Sequence, residues 1–200
     1  KLREAEPRLA ELFTAEQAAD ETEWLASAIT LLETYFRMED PRFLGPHTRE
    51  EKISFEHESG LTFAGIVDRI DVAPDGRIRV VDYKTGKAPN PLYEDKALFQ
   101  MKFYALVIWR TRGILPTLLQ LMYIGDGSFL TYEPKEHELL ATERKVLALW
   151  DAIASAVDRR DFPAKKSGLC RWCSHQSICP EWGGTPPPFP EIVPEVPLVP

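Results

Sequence analysis

Residues 51–84 read EKISFEHESGLTFAGIVDRIDVAPDGRIRVVDYK, and this stretch decides the fold. Residues 51–58 alternate apolar Ile53 and Phe55 with polar neighbours, which is the period of a β-strand with one exposed face. Residues 61–72 and 77–84 form two further strand-like segments. Ser59-Gly60 and Pro74-Asp75-Gly76 supply turn residues between the segments. Because such short turns join antiparallel neighbours, we predict a three-stranded antiparallel meander. Its strands are expected at residues 51–58, 61–72 and 77–84.

Outside the meander, two helices and two further strands are predicted downstream, and helical spacing also marks the N-terminal part. The helices are expected at residues 8–38, 94–112 and 135–159, and the further strands at residues 117–124 and 128–132. This order of elements predicts an α/β fold in which helices flank a mixed central sheet.

Composition sets limits on the kind of protein. The 200 residues are 44% hydrophobic and 28% charged, a balance typical of a globular domain. No apolar run has the length of a membrane span and no signal peptide opens the chain, so we expect no membrane partner and a cytoplasmic location. The chain begins with Lys1, and we therefore interpret it as a piece of a longer protein.

The net charge of −7 argues at first against a nucleic-acid partner. Residues 61–133, however, carry eight acids and nine bases, a net charge of +1. A bound divalent cation would make this segment more positive. The charge distribution therefore permits a DNA substrate without favouring one.

A candidate metal site lies on the meander. Asp82 and Lys84 are two residues apart on one strand, so their side chains share a face, and Asp68 lies on the neighbouring strand. Two carboxylates on adjacent strands suit a hard cation such as Mg²⁺, which activates water for phosphodiester hydrolysis. A neighbouring lysine orients the nucleophile or stabilises negative charge. The alternative is that these are ordinary surface charges.

Three motifs resemble the RecB-type exonuclease family of the PD-(D/E)XK nuclease superfamily, over roughly residues 50–182. They are Gly65-Ile66-Val67-Asp68-Arg69-Ile70-Asp71, Val81-Asp82-Tyr83-Lys84-Thr85-Gly86 and Gln100-x-x-x-Tyr104. The resemblance implies the restriction-endonuclease-like core of that superfamily, with Mg²⁺ or Mn²⁺ as cofactor.

The resemblance also implies roles for individual residues. Asp68 and Asp82 would be metal ligands, together with the backbone carbonyl of Tyr83, and Lys84 the catalytic lysine. Gln100 and Tyr104, one helical turn apart, would support the lysine or contact DNA. We expect Arg69 and Lys87 to be either contacts to DNA phosphates or solvated surface charges.

This sequence departs from the family pattern at one ligand. The family carries a histidine on a helix before the first aspartate, whereas His47 lies in a proline-rich turn and His57 at a strand end. We expect the missing histidine upstream of Lys1, and therefore expect this 200-residue piece alone to be weakly active or inactive.

The three cysteines, Cys170, Cys173 and Cys179, form one compact cluster. An odd, closely spaced set favours a metal site in a reducing compartment over disulfides. The iron–sulfur branch of the family carries such a triplet and takes a fourth cysteine from near its N-terminus, so the resemblance implies a [4Fe–4S] cluster with an upstream ligand. Zinc, with His175 as fourth ligand, is the alternative. In either case the site would be structural.

The resulting hypothesis is a metal-dependent DNA exonuclease that acts on DNA ends, expected to be single-stranded, in repair or recombination, with a helicase as a possible partner. A catalytically inactive module that binds DNA or a helicase is one alternative, and a zinc-clasped interaction domain is another. The predicted organisation is an N-terminal helical part (1–50), a nuclease core with its following helix (51–162), a cysteine-rich metal clasp (163–182) and a proline-rich disordered tail (183–200).

Overall fold

The computed structural model describes residues 18–90 and 94–190. In this part of the chain the regular elements are three α-helices and five β-strands. In chain order they are α1 (Ala18–Met38), β1 (Thr48–Glu56), β2 (Thr62–Val72), β3 (Ile78–Lys84), α2 (Glu94–Arg112), β4 (Leu118–Tyr123), β5 (Ser128–Tyr132) and α3 (Glu136–Arg159). The chain divides into two compact units with a boundary between Arg144 and Lys145, and the sheet belongs to the first.

The five strands form one mixed sheet in the order β1-β2-β3-β4-β5. The pairs β1–β2 and β2–β3 are antiparallel, with Phe55 opposite Phe63 and Arg69 opposite Val81. Strand β4 is parallel to β3, which requires a crossover, and α2 provides it. Strand β5 returns antiparallel to β4. The predicted antiparallel meander and mixed sheet are confirmed.

The core lies around the two central strands. In β4 the last five residues, Leu119–Tyr123, are all buried, and in β3 Val80, Val81 and Asp82 are buried consecutively. Strands covered on both faces read as nearly continuous apolar runs. The edge strand β5 instead alternates half-buried and exposed residues. The central strands therefore carry most of the hydrophobic stabilisation of the sheet.

Helix α2 is buried on more than one face, because Tyr104 to Ile108 are buried in succession. An α-helix with such a run packs on two sides. It contacts the sheet, and it is joined to α3 by a bidentate ion pair in which Arg110 Nε and Nη2 lie 3.0 and 2.6 Å from the Glu143 carboxylate. This position brings residues of α2 next to the end of β3.

The element predictions agree closely with the structure. Helix α2 has the predicted bounds of 94–112, and β1 begins three residues earlier than predicted, at Thr48. The reason is local: Arg49, Glu50 and Glu51 are all charged and show no alternation, and Glu50 has a positive φ of 49°. Of the predicted helix 8–38, residues 18–38 are helical and the earlier ones lie outside the described residues.

The second unit contains the end of α3 and three short 3₁₀ helices, at Gly168–Trp172, Gln176–Ile178 and Pro180–Trp182. Residues 184–190 have no regular secondary structure, although the rings of Phe162 and Phe189 stack with centroids 5.8 Å apart. Across residues 18–90 and 94–190, none of the helices combines the length and apolarity needed to cross a bilayer.

Candidate active site

The two predicted metal ligands face each other on adjacent strands. Arg69 pairs with Val81, so the next position of this antiparallel register sets Asp68 opposite Asp82. The backbone N–H of Tyr83 donates to Asp68 Oδ2 at 2.9 Å, which fixes the Asp68 carboxylate against β3. The structure thus brings together two carboxylates that are 14 positions apart in the sequence.

Asp82 is held in an environment that disfavours a lone negative charge. It is only 2% exposed, and burial raises the pKa of its carboxyl, as does the nearby charge of Asp68, while Lys84 lowers it. Lys84 Nζ lies 2.7 Å from Asp82 Oδ2, so this ammonium group is the partner of the buried oxygen.

Two carboxylates with one ammonium group therefore leave excess negative charge in a partly buried place. Hard divalent cations prefer such carboxylate oxygens, and a buried charge without a partner is costly. The donor set, two carboxylates against one ammonium group, thus fits a Mg²⁺ or Mn²⁺ ion.

Helix α2 positions the lysine. Lys84 Nζ donates to Gln100 Oε1 at 3.0 Å, and Gln100 Nε2 donates to Tyr104 Oη at 2.8 Å. Gln100 and Tyr104 lie one turn apart on the same helix face. Lys84, Gln100 and Tyr104, which were predicted separately from two motifs, therefore form one hydrogen-bonded chain.

Gly65, the first residue of the first motif, makes room for this chain. A Cβ atom at position 65 would lie 2.8 Å from Cε1 of Tyr104, well inside van der Waals contact. The Tyr104 ring is 8% exposed, so it has little space to retreat. The glycine in this motif thus has a packing reason.

A second polar network lies beside the site, and sequence analysis did not find it. Glu39, just after α1, accepts hydrogen bonds from Arg69 Nη1 at 2.7 Å and from Tyr83 Oη at 2.8 Å. Arg69 Nη1 also donates to Tyr83 Oη, and Arg69 Nε lies 3.2 Å from Asp71. The side chain of the proposed carbonyl ligand Tyr83 is thereby fixed by both Glu39 and Arg69.

Burial and the hydrogen bonds set the ionisation of this network. Burial tends to raise the pKa of Glu39, but hydrogen bonds from Arg69 and Tyr83 outweigh it, and the net pKa is lowered. Burial, followed by the contact with Glu39, raises the pKa of the Tyr83 phenol. The network therefore holds an ionised Glu39 and a neutral Tyr83.

The candidate phosphate contacts differ in their surroundings. Arg69 is 2% exposed and ion-paired, so neither a phosphate contact nor the alternative of a solvated charge describes it. Lys87 is exposed in the loop after Lys84. That loop is fastened by Asp126, whose Oδ2 accepts from Ala88 N at 3.0 Å.

The histidines and cysteines do not complete a metal site in the described part of the chain, and the histidine ligand expected upstream of Lys1 remains a prediction. His47 and His57 are exposed or half-buried near strand ends. Within residues 18–90 and 94–190, no group of three or more His, Cys, Asp or Glu side chains is arranged to hold a metal ion. Asp68 and Asp82 are a pair, and the cysteines are not gathered into a ligand group.

The cysteine segment nevertheless has a defined local structure. Cys170 Sγ accepts from Ser167 N at 3.2 Å and Cys173 Sγ accepts from His175 N at 3.4 Å. The side chain of Gln176 donates to Cys170 O at 2.6 Å. All three cysteines are free thiols.

Comparison with known proteins adds two findings. A family model described as the PD-(D/E)XK nuclease superfamily matches residues 1–180. The Gene 69 protein of Mycobacterium phage D29 is 27% identical to this chain over 133 residues, which are 64% of this chain and 47% of the phage protein. The chain therefore spans about half the length of this curated relative.

Proposed function

The chain belongs to the PD-(D/E)XK nuclease superfamily, and from this premise we propose that it is the nuclease part of a metal-dependent DNA exonuclease of the RecB type. We infer that it acts on DNA ends in repair or recombination, in the cytoplasm and with a helicase as a possible partner. The observation that carries the proposal is the Asp68–Asp82 carboxylate pair with Lys84 in contact with it. Asp82 is 2% exposed and Asp68 is half-buried, and ordinary surface charges are not placed against each other in this way, because burial of like charges is costly.

Each side chain of the site has a definable task in phosphodiester hydrolysis. Mg²⁺ or Mn²⁺, held by Asp68, Asp82 and the Tyr83 carbonyl, would supply water activation and charge neutralisation. Lys84 presents an ammonium group that orients a nucleophile or stabilises charge on the phosphate. Gln100 and Tyr104 hold that ammonium group in place by the hydrogen bonds described above.

The test is cleavage of end-labelled single-stranded DNA by the full-length protein with Mg²⁺ or Mn²⁺. Asp82→Ala and Lys84→Ala are expected to lose at least about a hundredfold in rate, the size typical for removal of a transition-state contact. Asp75→Ala is the matched control, because Asp75 is an exposed acid paired with Arg77 at the β2–β3 turn. The site assignment fails if either site variant, shown to be folded by its melting curve, cuts as fast as the wild type.

A second candidate function is a catalytically inactive module that binds DNA or a helicase. The observation that favours it is the presence of two carboxylates, without a third His, Cys, Asp or Glu beside them, in residues 18–90 and 94–190. Tight DNA binding by the full-length protein, with no cleavage in either metal, would select this candidate.

For the cysteine-rich segment we propose a structural [4Fe–4S] cluster held by Cys170, Cys173 and Cys179, with zinc as the alternative. The N–H groups that point at Cys170 Sγ and Cys173 Sγ support a metal-bound thiolate, since such donors tune iron–sulfur ligands. Iron and sulfide in anaerobically purified full-length protein would support the cluster. Zinc without iron would support a zinc-clasped interaction domain, provided that nuclease activity is also absent.

We also propose a domain organisation for these 200 residues. It has a helical part (1–50), the nuclease core (51–162), the metal clasp (163–182) and a proline-rich tail (183–200). The first step that would separate these parts is limited proteolysis of the metal-loaded protein, with cuts expected after residue 182.

A further inference from the structure

The cleft that contains Asp68 is bordered by a segment with no role in the site described so far. Asp68 and Tyr83 line this cleft together with Pro41 and Leu44, which belong to the connection between α1 and β1. Arg49, at the start of β1, also lines it. The connection between α1 and β1 therefore borders the same cleft as Asp68, one of the proposed metal ligands.

Arg49 presents an uncompensated positive charge at this cleft. It lies opposite Arg69 on the neighbouring strand, but it is exposed whereas Arg69 is buried. The other arginines between residues 37 and 112 all have a hydrogen-bond or ion-pair partner: Arg37, Arg42, Arg69, Arg77, Arg79, Arg110 and Arg112. Arg49 has none among residues 18–90 and 94–190, so its charge is available to a phosphate.

Phe43 presents an aromatic ring to solvent next to the same cleft. Its side chain is 84% exposed, more than any other large hydrophobic residue in the described part of the chain. Its backbone position is fixed, because residues Pro41–Phe43 form a 3₁₀ helix capped by Asp40, which accepts from Arg42 N at 3.0 Å, and Phe43 N donates to Asp40 O at 3.1 Å. The two cleft-lining residues Pro41 and Leu44 flank it closely in the chain.

An exposed aromatic ring and a free cation beside the proposed active site are the two kinds of group that proteins use to bind single-stranded nucleic acid. Such proteins combine a positive charge that holds the backbone with rings on which bases stack. A base inside a duplex has its faces covered by its neighbours and offers no free face for stacking, whereas an unpaired base does. Phosphate contacts position the strand, and arginine is a common donor to them.

We propose that Phe43 and Arg49 form a subsite for an unpaired nucleotide next to the bond that is cut. Phe43 stacks on the base and Arg49 binds the adjacent phosphate. This inference rests on the proposed nuclease function, since it places the subsite relative to Asp68. It also gives the proposed nuclease a physical reason to prefer single-stranded DNA, because only an unpaired base can stack on Phe43.

The experiment measures binding, so it does not depend on cleavage. The full-length protein is titrated in EDTA against a fluorescent oligothymidine and against a blunt duplex of the same length, at several salt concentrations. Phe43→Ala is expected to weaken oligothymidine binding by roughly fivefold or more, with little effect on the duplex. Arg49→Ala is expected to reduce the salt slope of oligothymidine binding by about 0.7, the value for one phosphate contact on a single strand.

The matched controls are an exposed phenylalanine and an exposed arginine that neither line this cleft nor lie beside its lining residues in the chain. Phe129 on β5 is 48% exposed, and Arg77 lies at the β2–β3 turn. Phe129→Ala and Arg77→Ala should leave affinity and slope unchanged, and Phe43→Trp should retain binding. The subsite is disproved if Phe43→Ala behaves like Phe129→Ala on both substrates, or Arg49→Ala like Arg77→Ala.

The subsite and the proposed function fail in different ways. Metal-dependent cleavage that needs Asp82, together with wild-type DNA binding by the Phe43 and Arg49 variants, retains the nuclease and overturns the subsite. Selective binding of oligothymidine through Phe43 and Arg49, without cleavage in Mg²⁺ or Mn²⁺, retains the subsite and overturns the nuclease. A full-length protein that binds neither DNA overturns the subsite directly.

Discussion

At the scale of single residues, Asp82 shows a conflict between folding and the proposed function. Its carboxylate is buried and faces a second carboxylate, and Lys84 offsets only part of the resulting cost. The raised pKa of Asp82 expresses this cost, because the folded protein binds the proton more tightly than the unfolded chain does. Carboxyl groups whose pKa is shifted by burial and by like charges are common at functional sites.

Replacement of Asp82 by asparagine tests this interpretation. A raised carboxyl pKa means that stability falls as pH rises from the ordinary value of 3.8 through the pKa of the folded state. Asp82→Asn removes the charge, so in EDTA at neutral pH we expect it to be more stable than the wild type by about 1 kcal/mol. Urea unfolding measures the difference, which should disappear below the ordinary pKa.

The comparison variant is Asp75→Asn, at an exposed acid that is paired with Arg77. It should not gain stability at neutral pH. A lower stability of Asp82→Asn than of the wild type in EDTA at neutral pH would show that Lys84 alone satisfies the buried carboxylate.

At the scale of elements, Glu39 joins the end of α1 to β2 and β3. It receives hydrogen bonds from Arg69 on one strand and from Tyr83 on the next. The side chains of Glu39 and Arg69 are 12% and 3% exposed, so the pair is largely shielded from water. Removal of one partner would leave the other charge buried, which is strongly destabilising.

We therefore expect Glu39→Ala to destabilise the protein by about 3 kcal/mol at neutral pH. The pKa of Glu39 is lowered, so its contribution is present above the unfolded-state value and is lost as pH falls through the folded-state pKa. The gap between wild type and variant should narrow on acidification, as followed by urea unfolding. Glu33→Ala, at an exposed position of α1, should show neither effect, and a gap that widens in acid would refute the assignment.

The β4–β5 turn holds the loop after Lys84 through a close backbone approach. A Cβ atom at Gly125 would lie 2.7 Å from the backbone of Gly86 and Thr85, and Gly125 N donates to Gly86 O at 3.1 Å. Backbone atoms cannot move aside as a side chain can.

Gly125→Ala is thus expected to destabilise the protein by about 2 kcal/mol and to lower cleavage by displacing the loop next to Lys84. Gly86→Ala is the control from the same contact, since a Cβ atom at Gly86 would meet nothing within 4 Å. Thermal unfolding and the cleavage assay measure the two effects. Equal stability of the two variants would mean that the turn accommodates the methyl group.

At the scale of the whole molecule, the net charge of −7 opposes association with DNA. The carboxylate pair Asp68 and Asp82 adds to this repulsion at the place where a phosphate would have to bind. A divalent cation reverses the local charge, because it is the largest charge in its site.

DNA binding should therefore depend on the cation even when no cleavage occurs. For Lys84→Ala, which keeps both carboxylates, we expect binding of single-stranded DNA to be about tenfold tighter in Mg²⁺ than in EDTA. Fluorescence anisotropy measures the change. The triple variant Asp68→Asn, Asp82→Asn, Lys84→Ala should lose the response to Mg²⁺, and a retained response would place the cation elsewhere.

The sequence by itself determined the strands, the crossover helix and the residues proposed for chemistry. Turn residues and the spacing of apolar side chains are local features, so they located β2, β3 and α2 to within a residue or so. The strand period of two placed Asp82 and Lys84 on one face of their strand. The motif spacings, in turn, indicated the superfamily that the family model confirms.

Only the tertiary structure decided which distant groups meet. The contacts of Glu39 with Arg69 and Tyr83, and of Gly125 with the loop after Lys84, join residues that are 30 to 44 positions apart. No local period encodes such contacts, because they depend on how elements pack and on what that packing buries. For the same reason sequence analysis treated Arg69 as a phosphate contact or a solvated charge, whereas packing buries it and leaves Arg49, its exposed partner across the strand, at the cleft beside Asp68.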